Sequence, residues 1–328
     1  MTHVGPSLHI SARHEVWPLR DVFTISRGSK SASNVVVVTV TDGHHSGRGE
    51  AVPYARYGET VDGVLAAIAA LSGIQTRIDL CQHMAPGAAL NAVDCALWDF
   101  EAKRAGVVAA TLAGVATVKP VLTAFTLSLG TPESMAAKAR NVAHLPLLKL
   151  KLGGDGDHDR MRAVRAARPD ARLIADANEG WTADILPDLL KTALELAFET
   201  IEQPLPEKAD EALRGRRSTI PICADESVHT AADVPRLADL YDAINIKLDK
   251  AGGLTGGLAL QAAARQAGMK IMIGSMVATS LAVAPAMILA QDADWVDLDG
   301  PLLLARDRDH AIQIHNGLMS PPSAKLWG

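Results

Sequence analysis

The sequence predicts a mixed α/β fold, a (β/α) barrel preceded by a smaller α+β domain, and three observations carry that prediction. From Val121 onward, short apolar runs alternate with helix-length segments. Four successive runs end in a charged residue, at Asp176, Glu202, Asp225 and Lys247, with intervals of 26, 23 and 22 residues. That is about the length of one strand, one helix and two loops in a βα repeat. Before about residue 115 the alternation is absent, and strands come first with helices after.

The N-terminal stretch, expected to form a domain over 1–115, opens with SLHISARHEVWPL and SNVVVVTVTD, two β-like runs joined by DVFTISRGSKSA. Ala- and Leu-rich segments follow. AALNAVDCALWDFEAKRAG places Val93, Ala96, Leu97 and Phe100 at helical spacing and offers Gly106 as its stop. Pro120 punctuates the change of rhythm. The barrel is expected over 116–300, with eight strand candidates in VLTAFTLSL, LLKLK, RLIAD, AFETIE, PICAD, AINIK, KIMIG and WVDLD. Helical segments such as MAAKARNVA, DRMRAVRAA, LPDLLKTALEL and GLALQAAARQAG lie between them. The tail from 301 to 328 is expected to pack back on the first domain.

Composition narrows the function. A chain of 328 residues, 48% hydrophobic, can bury a sizeable core, and a net charge of −5 without a Lys/Arg run argues against nucleic acid and membrane surfaces. No secretory leader and no membrane-spanning apolar stretch is expected. Cys81, Cys95 and Cys223 lack CxxC spacing and are expected to be buried small residues in a reducing cytoplasm. The sequence leaves room for a homo-oligomer.

In a parallel barrel, residues at successive strand ends gather at one mouth, so Asp176, Glu202 and Asp225 should meet. Three carboxylates together repel, and a hard divalent cation relieves this; oxygen donors suit Mg2+ better than zinc. Lys149 and Lys151 alternate onto one strand face, with Lys247 nearly opposite, so Lys151 and Lys247 would flank a metal-bound substrate. Crowding by Lys149 and the metal should pull Lys151 down toward neutrality, a differential of roughly 4 kcal/mol. Lys149 would stabilise an oxyanion while the other two lysines move protons. Asp297 and Asp299 end the eighth strand and would receive a cationic ammonium. Arg27 and Lys30, on a loop expected to be a mobile lid, and Arg56 and Tyr57 on a second segment, would cover the mouth. Lys250 is expected to be a solvated surface lysine. The histidines form no H-x-x-x-H pair, and KIMIGSM ends strand seven without one.

These residues resemble the enolase superfamily, muconate-lactonising subgroup: the K-x-K pair Lys149/Lys151, the Asp176, Glu202, Asp225 set, and Lys247 in NIKLDKAGGLT. The similarity runs from about Val16 to Leu303. It implies a modified TIM barrel, (β/α)7β, under an α+β capping domain, one Mg2+ per subunit, and epimerisation of the glutamyl carbon in a dipeptide from cell-wall peptide recycling. One departure concerns the lid, where Lys30 stands at a position that is arginine in close members. It keeps a charge for the glutamate side chain and loses the bidentate fork. A cycloisomerase or o-succinylbenzoate synthase shares the metal and lysines, but its substrate has no ammonium for Asp297 and Asp299. A mandelate-racemase-like or acid-sugar dehydratase chemistry requires the strand-seven histidine that is missing, and a non-catalytic binding protein has no use for opposed lysines.

Overall fold

The computed structural model describes residues 8–215 and 220–328. The leaderless start expected from the sequence falls partly on residues 1–7, outside them.

The first sheet is antiparallel: β1 (His9–Ile25), β2 (Gly28–Thr41) and β3 (Ser46–Ala51), in that order. The expected flexible loop between the first two runs is instead strand. β1 and β2 stay paired out to Ile25↔Gly28, with a register shift between Pro18 and Phe23, so only Ser26 and Arg27 make the turn. Backbone pairing satisfies donors that a loop would leave to water, which stiffens the tip.

Four helices follow, α1 (Val61–Ala69), α2 (Arg77–His83), α3 (Ala88–Ala105) and α4 (Ala109–Leu112). Thr76 and Asp79 form a capping box at the start of α2, and Gly106 ends α3 in the left-handed region at φ 66°. α3 lies almost touching β3. A Cβ on Gly47 would come within 2.2 Å of Ala96 O, and one on Gly49 within 2.1 Å of Ala92 O, so only glycine permits the approach.

The second part starts with a run that splits. VLTAFTLSL gives β4 (Val121–Leu122) and β5 (Phe125–Leu127), which join different sheets. Then come α5 (Pro132–Asn141), β6 (Leu147–Lys151), α6 (Asp157–Ala167), β7 (Arg172–Asp176), α7 (Leu186–Glu195), β8 (Phe198–Glu202) and β9 (Ile222–Ala224). They are followed by α8 (Val234–Leu237), β10 (Ala243–Lys247), α9 (Leu248–Ala251), α10 (Leu254–Gln266) and β11 (Lys270–Gly274). α11 (Ser280–Val283), α12 (Ala286–Leu289), β12 (Trp295–Asp297) and α13 (Gly300–Leu303) complete the unit. Between β8 and β9 the crossover carries a 3-10 helix, Glu207–Leu213. Strands β5 to β12 form one eight-stranded sheet in sequential order, and every recorded pairing in it is parallel. Its edges meet where Ala124 N donates to Val296 O at 2.8 Å, giving a nearly closed barrel.

Alternation along β6 shows how the barrel is built. Leu148 and Leu150 face outward into the large cluster under the helices, while Leu147 joins Ala124, Ile174, Cys223, Ala243, Met272 and Trp295 in a small interior plug. Lys149 and Lys151 continue the inward face above that plug. Apolar residues fill one end of the barrel and leave charge at the other.

The tail serves both parts. β13 (Ile314–His315) pairs with β14 (Leu318–Met319), which in turn pairs with β4, and Trp327 Nε1 donates to Cys95 O at 3.0 Å in α3. The cap is further tied down by Asp249, which accepts from Val52 N and Asn91 Nδ2 at 2.9 Å each, and by Arg308, which reaches Glu50 at 2.6 Å. Cys95 and Cys223 are buried as expected; Cys81 is exposed on α2, because the polar outer face of a short surface helix carries it. No helix among the described residues is long and apolar enough to cross a membrane.

Candidate active site

At the charged end of the barrel, Asp176, Glu202 and Asp225 lie buried, each offering an oxygen within 4.8 Å of the others. Each carboxylate has one oxygen anchored by the framework. Asn178 N donates to Asp176 Oδ1 at 2.9 Å, Asn245 Nδ2 to Glu202 Oε1 at 2.7 Å, and Lys250 Nζ to Asp225 Oδ1 at 2.6 Å. Their second oxygens face ammonium groups: Asp176 Oδ2 is 2.6 Å from Lys151 Nζ, and Asp225 Oδ2 is 2.6 Å from Lys247 Nζ. Glu202 Oε2 is ion-paired with Lys149 Nζ at 2.5 Å but outside hydrogen-bond geometry, so this buried acceptor has no hydrogen-bond partner.

The charges are strongly coupled. Burial and repulsion from Asp176 push Glu202 up to about 8. Burial opposes ionisation of Asp176 as well, but Lys151 and Lys149 outweigh it and hold Asp176 down at about 2. Three hard oxygen donors, one of them without a hydrogen-bond partner and resisting ionisation, fit a divalent cation, whose charge would relieve that repulsion.

The lysines of the site are paired with its carboxylates, and one further lysine, Lys250, departs from expectation. Burial lowers Lys149 and Lys247, yet facing carboxylates more than compensate, Asp297 for Lys149 and Asp225 for Lys247, and hold both above the ordinary lysine range. Lys247 is thus held as an ammonium against Asp225. Lys250 departs further: it is buried, bonds the backbone oxygen and Oδ1 of Asp225 and reaches Asn245 O at 3.2 Å. The tight turn of α9 directly after β10 folds it back under the site, which a strand pattern cannot reveal.

Asp297 and Asp299 sit on the seam beside these groups. Asp297 Oδ2 accepts from Lys149 at 2.6 Å, while buried Oδ1 has no partner. Asp299 Oδ2 accepts from Thr126 N at 2.6 Å, and burial followed by the neighbouring Asp297 raises Asp299 to about 7.

A cavity of about 490 Å³ opens above, lined by Lys30, Tyr57, Lys151, Lys247, Asp297 and Asp299 among others, a size suited to a small molecule. Arg27 and Lys30, read from the sequence as one pair, have separate fates. Arg27 is held by Glu226 at 2.7 Å and Asn178 O at 2.8 Å. Lys30 meets no carboxylate among the described residues and lies 5.9 Å from the Phe23 ring centroid. Burial, then Lys151 and Lys247, draw it down to about 8. Sequence reasoning missed Glu226, Asn178, Glu179 and Asn245. The first three lie one to three residues after expected ligands, in ADES and DANEG, and that proximity was the available signal.

Residues 7–114 match the family described as mandelate racemase / muconate lactonizing enzyme, N-terminal domain, and residues 134–325 match that described as enolase C-terminal domain-like. The L-Ala-D/L-Glu epimerase of Escherichia coli (strain K12) is 43% identical over 310 residues, 92% of this chain and 96% of that protein. An N-acetyl-D-glutamate racemase of Pseudoalteromonas sp. is 41% identical, over 90% and 95%. Among solved structures, an enolase family member from Agrobacterium tumefaciens with homology to dipeptide epimerases, carrying bound sodium and L-Ala-L-Glu with an ordered loop, is 49% identical. It superimposes with a TM-score of 0.96 over 98% of this chain and 100% of that one.

Proposed function

The chain belongs to the mandelate racemase / muconate lactonizing enzyme family of the enolase superfamily, and on that premise we propose that it is a dipeptide epimerase acting on L-Ala-D/L-Glu-type substrates. It is an isomerase of amino acid derivatives. The observation that carries the reading is the pair Lys151 and Lys247, on strands four places apart, with the acidic triad between them and the cavity above.

Asp176, Glu202 and Asp225 would hold Mg2+, which when bound supplies Lewis-acid stabilisation of the negative charge that builds on the substrate carboxylate as the α-proton leaves. Lys149, fully charged, adds a fixed cation beside that carboxylate. Lys151 takes the glutamyl α-proton as an amine while Lys247, as an ammonium, returns one from the opposite face. In the reverse direction the roles exchange, and the stereocentre inverts in both. The unpartnered oxygen of Asp297, with Asp299, receives the N-terminal ammonium and sets the register. Lys30 faces the side-chain carboxylate, and the cap excludes water. Such dipeptides arise from cell-wall peptide turnover, and the three free thiols suit a cytoplasmic site of action.

The test is L-Ala-L-Glu in deuterated water with magnesium. The reading expects deuterium at the glutamyl α-carbon alone, together with appearance of L-Ala-D-Glu. Exchange at the alanyl carbon, or turnover of N-acetyl-L-glutamate in preference to the dipeptide, would refute it.

A further inference from the structure

Two cap segments reach the mouth of the cavity, the tip of the β1–β2 hairpin and the turn at residues 54–58, and both end on one barrel residue outside the cavity lining, Glu179. Arg56 grips it twice, Nε to Oε2 at 3.0 Å and Nη2 to Oε1 at 2.8 Å. Arg27 Nη1 reaches Oε2 at 3.3 Å, and Glu207 N donates to Oε1 at 2.9 Å. The Glu179 side chain is only 9% exposed, so these pairs are partly shielded from solvent.

The backbone at this point is costly. Asn178 and Glu179 are both left-handed, at φ 45° and 64°. A residue bearing a Cβ is strained there, and glycine is not. Such strain persists where the surroundings over-determine it and gathers at functional sites. Here a carboxylate occupies a position that backbone energy alone would give to glycine. Asn178 also ties the turn to the acidic triad, since its N–H holds Asp176 and its carbonyl accepts from Ser26 Oγ at 2.9 Å and from Arg27.

We infer that Glu179 is a positioning residue: its carboxylate clamps Arg56 and Arg27 and thereby sets Tyr57 and Lys30 over the bound dipeptide. Tyr57 adjoins Arg56 in the chain, and Lys30 follows Arg27 by three residues on the returning strand; both line the cavity. Arg27 has a second and shorter ion pair, to Glu226 at 2.7 Å, whereas among the described residues the only other carboxylate paired with Arg56 is Glu207 at 3.7 Å. Loss of Glu179 therefore frees the 54–58 turn more than the hairpin. The inference rests on the dipeptide reading for what is positioned, but the docking of the cap does not.

Two variants separate charge from fold. Glu179→Gln keeps the shape and the strain and removes the charge, while Glu179→Gly removes the carboxylate and relieves the strain. In both, trypsin cleavage after Arg56 should accelerate about fivefold or more, ahead of cleavage after Arg27, because proteolysis follows local opening. KM for L-Ala-L-Glu should rise about tenfold, with kcat within about threefold, as expected when binding contacts are displaced and the proton-transfer groups are not. Glu179→Gly should melt no lower than Glu179→Gln. Unchanged cleavage and KM in both variants would overturn the inference, as would a KM rise that tracks Tm and leaves cleavage untouched. Faster cleavage in a protein whose parent does not turn over the dipeptide would leave the clamp standing and remove the substrate reading.

Discussion

Lys151 and Lys247 stand four strands apart in an eight-stranded barrel, and each bonds a different carboxylate of the same triad, Asp176 and Asp225, at 2.6 Å. On the proposed chemistry each lysine would therefore serve its own face of the substrate. Lys151→Ala and Lys247→Ala should each lower epimerisation by roughly a thousandfold, within the range for a lost acid or base. Each variant should still exchange the α-proton of one isomer with deuterated water, and the two should retain opposite isomers. Loss of exchange from both isomers in either variant would mean that one lysine does all the proton transfer.

Metal removal has a readout independent of turnover. Chelation should abolish activity, and added magnesium should restore it while raising Tm, with about 2.7 kcal/mol of stabilisation at a hundredfold excess over Kd. Glu202→Gln should cancel that rise, since it removes the ligand charge from the centre of the triad. A Tm indifferent to magnesium in the parent protein would argue against the site.

Asp297 and Asp299 are expected to act on substrate binding. Asp299→Asn should raise KM for L-Ala-L-Glu by about tenfold or more, the loss of a charge-assisted contact. It should change turnover of N-acetyl-L-glutamate little, because that molecule has no ammonium. Equal effects on both substrates, measured by deuterium exchange, would place the role of Asp299 elsewhere.

Stability should carry a pH signature from Asp249. Burial raises it from 3.8 to about 7, although Val52 N–H and Asn91 oppose the shift. The folded state thus holds the proton more tightly than the unfolded chain does. Stability from this group is present below about 4 and lost as pH rises through about 7, on the order of 4 kcal/mol in all. Asp249→Asn keeps an oxygen for both donors, so urea unfolding should find it more stable than the parent at pH 8, with the gap closing near pH 4.

The barrel and the core of the site were legible because both are periodic. Inward alternation along LLKLK fixes Lys149 and Lys151 on one face, and near-equal spacing brings Asp176, Glu202 and Asp225 together; neither depends on detailed packing. Irregular segments were not legible. VLTAFTLSL looks like one strand and divides between two sheets, since pairing with β14 is a contact between residues 196 apart in the chain. ISRGSKSAS has loop composition, yet the register of β1 and β2 carries it through as a hairpin.

The sequence by itself determined the repeat, the charged mouth and the residue types that meet there, because spacing and side-chain chemistry are local properties. Only the tertiary structure decided which charges are free. Lys250, an ordinary surface lysine by sequence, is buried against Asp225, and Arg27 is held by Glu226 while Lys30 is left facing the cavity. Ion pairing depends on distances between residues far apart in the chain, and those are set only when the cap closes on the barrel.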